Sequence, residues 1–350
     1  MSDNLPLIYD LDLPALGVTL AGWGEPAYRA KQVWQGLYQS LWAGPEEFTN
    51  LPRLLRQKLG ESFSFSHLKL ETTLESRDGE TRKSLFRLPD DQSVEAVLMR
   101  YSRRRTLCIS TQAGCAMVCA FCATGQMGFR RNLTSGEIVE QVLYYARILA
   151  ARGEHVTNVV VMGMGEPFHN YQNTLQAIDR LNHPEGFNLG ERRFTISTVG
   201  LVPGIRRFTA ERRQINLAVS LHAADDELRS SLLPVNRRFP LEEVLAACRE
   251  YVNVTHRRIT FEWALIQDIN DSPEQARKLA ARLAGLLCHV NVIQLNPTEG
   301  YAGKATSRLR ALAFQAELEQ HGIPCTIRLR RGIDIQAGCG QLAGRILSAI

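Results

Sequence analysis

The chain has 350 residues, 45% of them hydrophobic, and a formal net charge of +5. That is apolar material enough for one large domain, or a large one and a small one, and no low-complexity segment interrupts it. No apolar run approaches the roughly 18 residues of a membrane span, and the acidic start MSDNLPLIYDLDLP lacks the basic and apolar stretches of a signal peptide; a cytoplasmic protein with reduced cysteines is the expectation.

The charge is uneven. Residues 1–92 carry 10 Lys+Arg against 13 Asp+Glu, or −3, leaving 31 against 23, or +8, for the remainder. The basic part is studded with adjacent arginines, among them Arg130 with Arg131, Arg237 with Arg238, and Arg330 with Arg331. Guanidinium forks suit phosphate oxygens, so a nucleic-acid partner is expected from the total. Any single pair is more simply a solvated face.

In chain order, residues 1–92 read as a small accessory domain and 93–350 as the main one. The first part opens with short helical stretches. In one of them, 26–38, Tyr28, Val33, Trp34, Leu37 and Tyr38 share an apolar face suited to core packing. Strand-like stretches follow at 84–88 and 94–101, around the turn signal Pro89, Asp90, Asp91. From about Thr106 strands alternate with helices. The strand candidates are 107–110, 158–162, 194–197, 215–221, 259–265 and 290–295, and the helix candidates are 135–151, 173–181, 202–208, 241–251, 273–287 and 307–321, with a further strand at 325–330. Alternation of this kind predicts an α/β protein with a parallel sheet and helices outside it. The pattern alone also fits an open doubly wound sheet. Unusual residues stand just past successive strand ends, however, which is where βα barrels carry their active face. A partial barrel of six βα units is the better prediction.

The densest chemistry follows the first of these strands. Cys115, Cys119 and Cys122 form C-x3-C-x2-C, with Phe121 before the last cysteine. Three thiolates this close can hold three irons of a [4Fe–4S] cluster, leaving the fourth iron open to a small molecule. Zinc usually takes four ligands, commonly as two separated pairs, and cysteines so tightly spaced rarely meet disulfide geometry; buried structural thiols are the plainer alternative. After the second strand comes Met162, Gly163, Met164, Gly165, Glu166, Pro167. Glycines there let a ligand approach the backbone, and a carboxylate can hold an ammonium group. Ser197, Ser220, His222 and Asn296 stand at later strand ends, each singly explicable as a turn or cap residue or, for His222, a satisfied core histidine. Cys339 lies between two glycines near the C-terminus, which predicts an accessible thiol. Cys108 sits on the first strand and reads by itself as a small buried residue.

The segments TLCISTQAGCAMVCAFCATG, RRNLTSGEI, VVVMGMGEP, AVSLHAADDELR and RRGIDIQAGCGQL resemble those of the radical S-adenosylmethionine (SAM) adenine-C2 RNA methyltransferases, over residues 94–342 and more weakly before them. The resemblance implies the radical-SAM partial (β/α)6 TIM-type barrel, a [4Fe–4S] cluster on Cys115, Cys119 and Cys122, and SAM bound by Gly165, Glu166, Ser197, Ser220, Leu221, His222 and Asn296. It implies as substrates an adenine in the peptidyl transferase centre of 23S rRNA and the adenine 3′ of the anticodon in tRNA. An electron donor such as flavodoxin or ferredoxin is expected with it, and a monomer is the default expectation. Adenine C2 lies between two ring nitrogens and is too electron-poor to attack the methyl of SAM. By the resemblance, a first SAM methylates Cys339, and a second yields the radical that removes hydrogen from that methyl. The carbon radical adds to C2, Glu95 accepts the C2 proton, and Cys108 attacks the Cys339 sulfur, leaving a Cys108–Cys339 disulfide. A C8-methylating paralogue, a radical-SAM enzyme for a small molecule, and a non-catalytic RNA-binding protein with a structural metal are the alternative readings.

Overall fold

The computed structural model describes residues 5–344. Three helices lead: α1 (Leu13–Gly22), started by Asp12 accepting from the Ala15 N–H at 2.8 Å, α2 (Tyr28–Tyr38) and α3 (Arg53–Ser62). Strands β1 (Lys69–Glu75), β2 (Thr81–Arg87), β3 (Ser93–Tyr101) and β4 (Arg104–Cys108) then meander antiparallel. A short hairpin, β5 (Gln112–Gly114) with β6 (Phe129–Asn132), brackets the one-turn helix α4 (Ala123–Gln126).

From β4 onward the sheet is parallel. Its strands β7 (Asn158–Val161), β8 (Phe194–Thr198), β9 (Asn216–Ser220), β10 (Ile259–Leu265), β11 (Cys288–Gln294) and β12 (Cys325–Ile327) pair in sequence order. The connecting helices are α5 (Ser135–Ala150), α6 (Tyr171–Asn182), α7 (Val202–Glu211), α8 (Asp226–Leu232), α9 (Leu241–Thr255), α10 (Pro273–Leu283) and α11 (Arg308–Gln320). The complete order is β1-β2-β3-β4-β7-β8-β9-β10-β11-β12, so β1 and β12 remain edges and the barrel is partial. Strands such as Ile259–Leu265, buried along nearly their whole length, form because a parallel sheet covered by helices rewards continuous apolar runs. Sequence-local signals set the helix starts: Thr134 and Glu137 form a reciprocal capping box at α5, and Ser272 and Ser307 cap α10 and α11. No described helix is long and apolar enough to cross a membrane.

The N-terminal helices pack on the outside of the barrel. Asp10 accepts from the Gly136 N–H at 2.7 Å at the α5 N-terminus, where the helix dipole favours an anion. Trp34 meets His183 edge-on with centroids 5.3 Å apart. Buried Glu140 on α5 accepts from the Ser66 hydroxyl and from the His67 and Leu68 amides, fastening the chain that leads into β1. Val33, Trp34, Leu37 and Tyr38 are buried as expected, but Tyr28 is 57% exposed. It lies at the first position of α2, with the Arg29 guanidinium 4.9 Å from its ring centroid. Much of the arginine charge is used internally: Arg105 pairs with Glu154, Arg131 with Asp90 and Glu137, and Arg213 with Asp179 and Glu191.

Glu137 makes this packing pH-sensitive. Burial alone pushes its carboxyl up, but His67, 3.8 Å away, and the Arg131 guanidinium, bonded at 2.8 Å, outweigh that and hold it at about 2. A depressed acid contributes stability above its unfolded value near 4.5, which is lost as pH falls through the folded value. Urea unfolding of the wild type and E137Q is expected to differ by on the order of 3 kcal/mol at pH 5–6, with the gap closing toward pH 2. A difference independent of pH would contradict this account.

Candidate active site

The ends of the parallel strands open onto one cavity. Its wall includes Cys108 from the end of β4, Cys119 and Cys122 from the following loop, and Gly165 and Glu166 after β7. Ser197 from β8, Ser220 from β9, His222, Asn296 after β11 and Cys339 complete the set.

The cysteine loop is shaped by close backbone approaches. Gly114 has φ +71°, and a Cβ there would fall 1.8 Å from the Gly128 carbonyl oxygen. Cys115 is buried behind the wall. Its thiol is pushed up to about 12 by burial first, with Glu166 and Cys122 adding to the rise. Burial, then Cys122 and Cys115, likewise raise Cys119. Cys115 and Cys119 are thereby costly to ionise unless a cation compensates, which is the environment an iron–sulfur cluster needs. Among the described residues no three His, Cys, Asp or Glu side chains converge as a single-ion site. A cluster instead spreads its cysteines over different irons, so ligands set around a cavity suit it better than ligands aimed at one point.

Residues 162–167 are stitched to the same loop. The Gly163 N–H donates to the Ile109 carbonyl at 3.0 Å, and the Glu166 N–H to Gln112 Oε1 at 2.8 Å. Gly165 has φ +100°, and a Cβ there would lie 2.6 Å from Gln112 Cβ, so only glycine fits. The Glu166 carboxylate accepts from the Phe168 N–H at 3.0 Å and the Val199 N–H at 2.9 Å, yet burial still pushes it up to about 7. An ammonium group in the cavity would restore its charge. His222, at φ +61°, accepts the Ala264 N–H on Nδ1 at 2.9 Å, and burial, then Arg229, lowers it to about 3. The ring is therefore neutral, with its proton on Nε2. Asn296 has a buried Oδ1 with no partner among the described residues, a vacant acceptor on the wall. Leu221 differs from its neighbours: its side chain is buried off the cavity, with its N–H on the Glu262 carbonyl at 3.1 Å.

Cys339 belongs to a C-terminal segment tied across the cavity. Its carbonyl accepts from Asn296 Nδ2 at 3.0 Å, the Gly340 carbonyl from the Ala123 N–H at 2.8 Å, and the Leu342 carbonyl from the Thr124 hydroxyl at 2.7 Å. A Cβ on Gly338 would lie 2.6 Å from Asn296 Nδ2, so the glycine before Cys339 permits this contact. Cys339 is exposed, but its accessible surface opens into the cavity. All eight cysteines are free thiols, so the Cys108–Cys339 disulfide expected at the end of turnover is absent here. By the mechanism the resemblance implies, that bond forms only as the last step of turnover; burial and then Cys339 push Cys108 up to about 12, and burial raises Cys339. Glu95 is not the solvated strand residue its position suggests, nor does it line the cavity. It is 1% exposed, paired with Lys83 at 2.9 Å and bonded to the Ala343 N–H at 2.7 Å.

Arg328 escaped the sequence reading, which registered only the adjacent Arg330 and Arg331 as a basic pair. It lines the cavity, sits 3.6 Å from Glu262, and lowers both Cys108 and Cys339 against the effect of burial. Arg328 falls inside the strand candidate 325–330; because the strand ends at Ile327, its place just past a strand end appears only in the structure.

Comparison with known proteins agrees with this arrangement. Residues 109–280 match the radical SAM superfamily, and residues 7–64 match the ribosomal RNA large subunit methyltransferase N-terminal domain. A probable dual-specificity RNA methyltransferase RlmN of Chloroflexus aurantiacus is 51% identical over 97% of this chain and 93% of its own length. The chain belongs to the RlmN family of radical-SAM methyltransferases. Dual-specificity RNA methyltransferase RlmN 1 of Myxococcus xanthus is likewise 51% identical, over 99% of this chain and 96% of its own. The crystal structure of a radical SAM methyltransferase from Sphaerobacter thermophilus superimposes with a TM-score of 0.95 at 49% identity, covering 97% of this chain and all of that one. RlmN membership makes the α/β partial barrel a radical-SAM core and the protein a SAM-dependent methyltransferase.

Because Arg328 lowers both thiols, Arg328→Met is expected to raise them further. Iodoacetamide labelling of Cys108 and Cys339 at pH 9, read by peptide mass, should slow several-fold relative to the wild type. Unchanged labelling of both would contradict the electrostatic role.

Proposed function

We propose that this chain methylates C2 of an adenine in 23S rRNA, at the peptidyl transferase centre, and in tRNA, at the adenine 3′ of the anticodon, through an S-methylcysteine on Cys339. The observation that carries the reading is that Cys108 and Cys339, 231 positions apart, line one cavity with Cys119, Cys122 and Glu166. The printed names of the relatives, dual-specificity RNA methyltransferases, support both RNA classes.

Cys115, Cys119 and Cys122 would hold the cluster, which with bound SAM supplies one-electron chemistry at a carbon that polar methyl transfer does not reach. The protein's own residues do the rest. Glu166 holds the ammonium group of SAM, and Gly165 leaves room for it. His222 offers its Nε2–H. Ser197, Ser220, the Leu221 backbone and Asn296 complete the SAM pocket. Cys339 carries the methyl group and, after hydrogen loss from it, the carbon that bonds to C2. Glu95 takes the C2 proton, and the adduct's unpaired electron must leave to a one-electron acceptor, a role the cluster would fill. The Cys108 thiolate then attacks the Cys339 sulfur: the sulfur–carbon bond breaks, the product carbon takes a proton, and the disulfide formed must gain two electrons before another cycle. The electron donor is of the flavodoxin or ferredoxin type, and the chain acts as a monomer.

RNA is gripped by the basic main domain and by residues 1–92 as an accessory unit. Tyr101 and Arg331 line the cavity, and the Arg104 and Arg331 guanidinium groups stand 5.1 and 4.4 Å from the Tyr101 ring centroid. That is a combination of charge for phosphate and an aromatic surface for a base. Both implied substrates are loops, where a base is already accessible.

The test is nucleoside mass spectrometry after anaerobic reconstitution with iron and sulfide, then reaction with SAM, a reductant and unmodified 23S rRNA fragment or tRNA. 2-Methyladenosine is expected. C108A should retain a covalent RNA–protein adduct, and C339A should form none. 8-Methyladenosine would overturn the regiochemistry, and 5′-deoxyadenosine without either nucleoside would overturn the RNA assignment. Free methylated RNA from C108A would overturn the role of Cys108.

A further inference from the structure

Lys83, on β2, is a buried cation that the chemistry above leaves without a task. It is 4% exposed, and lysines are almost never buried so deeply unless paired. In the β2–β3 register Lys83 faces Val97 and Leu85 faces Glu95, so Lys83 and Glu95 are diagonal neighbours on one face of the sheet. The Lys83 ammonium lies 2.9 Å from Glu95 Oε1 and donates to the Gln336 carbonyl at 3.1 Å. The other carboxylate oxygen, Oε2, accepts from the Ala343 N–H at 2.7 Å and the Gly344 N–H at 3.1 Å. Gln336 precedes Cys339 by three residues and Ala343 follows it by four. One buried ion pair therefore binds the chain on both sides of the cysteine.

We propose that Lys83 is a positioning residue: with Glu95 it forms a buried clasp that grips both flanks of the Cys339 segment and sets where the Cys339 sulfur sits in the cavity. The proposal rests on the reading of Cys339 as the methyl carrier. An ammonium has three donors and a carboxylate about four acceptor positions, so each partner can hold the other and still bind backbone. Charge-assisted bonds of this kind are stronger than neutral ones. Removing the cation alone leaves a buried carboxylate uncompensated, which is costlier than never having the pair. The same contacts occupy both Glu95 oxygens. Movement of residues 343 and 344 therefore alters the hydrogen bonding of the carboxylate read as the proton acceptor.

The test compares wild type, K83M and K83R as reconstituted holoproteins. Hydrogen exchange of residues 332–344 is expected to rise roughly tenfold in K83M, as befits loss of a buried charge-assisted bond, while the β8–β10 amides stay as protected as in the wild type. The yield of 2-methyladenosine per 5′-deoxyadenosine should fall by a similar factor, because a displaced Cys339 methyl no longer meets the radical. K83R, which keeps the charge, should recover most of both. Unchanged exchange and unchanged yield ratio in folded K83M would overturn the clasp, as would recovery absent in K83R. Were K83M not to fold, E95Q would carry the exchange measurement, with the same rise expected and a wild-type level overturning the clasp. Peptide mass of Cys339 in the wild type after exposure to SAM separates the two readings. No methylation there would refute the methyl-carrier role, while the exchange result would still decide whether Lys83 holds the segment.

Discussion

Parallel pairing from Arg104 to Ile327 is the constraint on which the rest of this protein depends. Because β4 and β7 to β12 all run the same way, every strand delivers its C-terminal residue to the same face. Cys108, Ser197 and Ser220 meet there although their elements are far apart in sequence. The meander β1–β3 extends the sheet without closing it and brings Lys83 and Glu95 to the border of that face. The C-terminal segment is thereby given a surface to lie on, with Asn296 beneath Cys339 and the buried ion pair under both its flanks.

The face so assembled is electrostatically unfinished. Cys115, Cys119 and Glu166 are acids that burial pushes toward neutrality, and Asn296 keeps a buried acceptor unpaired. Each is a group whose cost falls when a cationic cluster or an ammonium-bearing ligand enters. The chain's own cations offset part of this: buried Arg229 opposes the rise of Cys119, and two others bear on the Cys339 segment. Arg328 opposes the rise of the two thiols, and Lys83 accompanies Glu95.

Most of this was legible in the sequence where chemistry is local. The barrel strands were readable because burial on both faces demands continuous apolar runs, as in ITFEWAL, and the helices because their caps and periodicity are short-range. The cysteine spacing and the glycine-bracketed Cys339 announced themselves by composition. The edge strand β1, KLETTLE, was not readable. It is half exposed, so no apolar pattern marks it, and its partner β2 defines it instead. Helix α8, seven residues long, was equally faint. Arg328 and Lys83 gain their meaning only from what folding sets beside them. Glu95 and Leu221 were picked out by family resemblance alone. Their placement off the cavity wall comes from the C-terminal segment in one case and from strand-end burial in the other.

The central claim is that the carbon delivered to RNA passes through the Cys339 sulfur. It is tested most directly by loading Cys339 with a trideuterated methyl group, removing the labelled SAM, and allowing one turnover with RNA and unlabelled SAM. The account predicts 2-methyladenosine whose methyl group carries two deuteriums, since hydrogen removal from the cysteine-bound methyl takes one, with a disappearance of label from Cys339. A product with an unlabelled methyl group, and a Cys339 that keeps its three deuteriums, would contradict it.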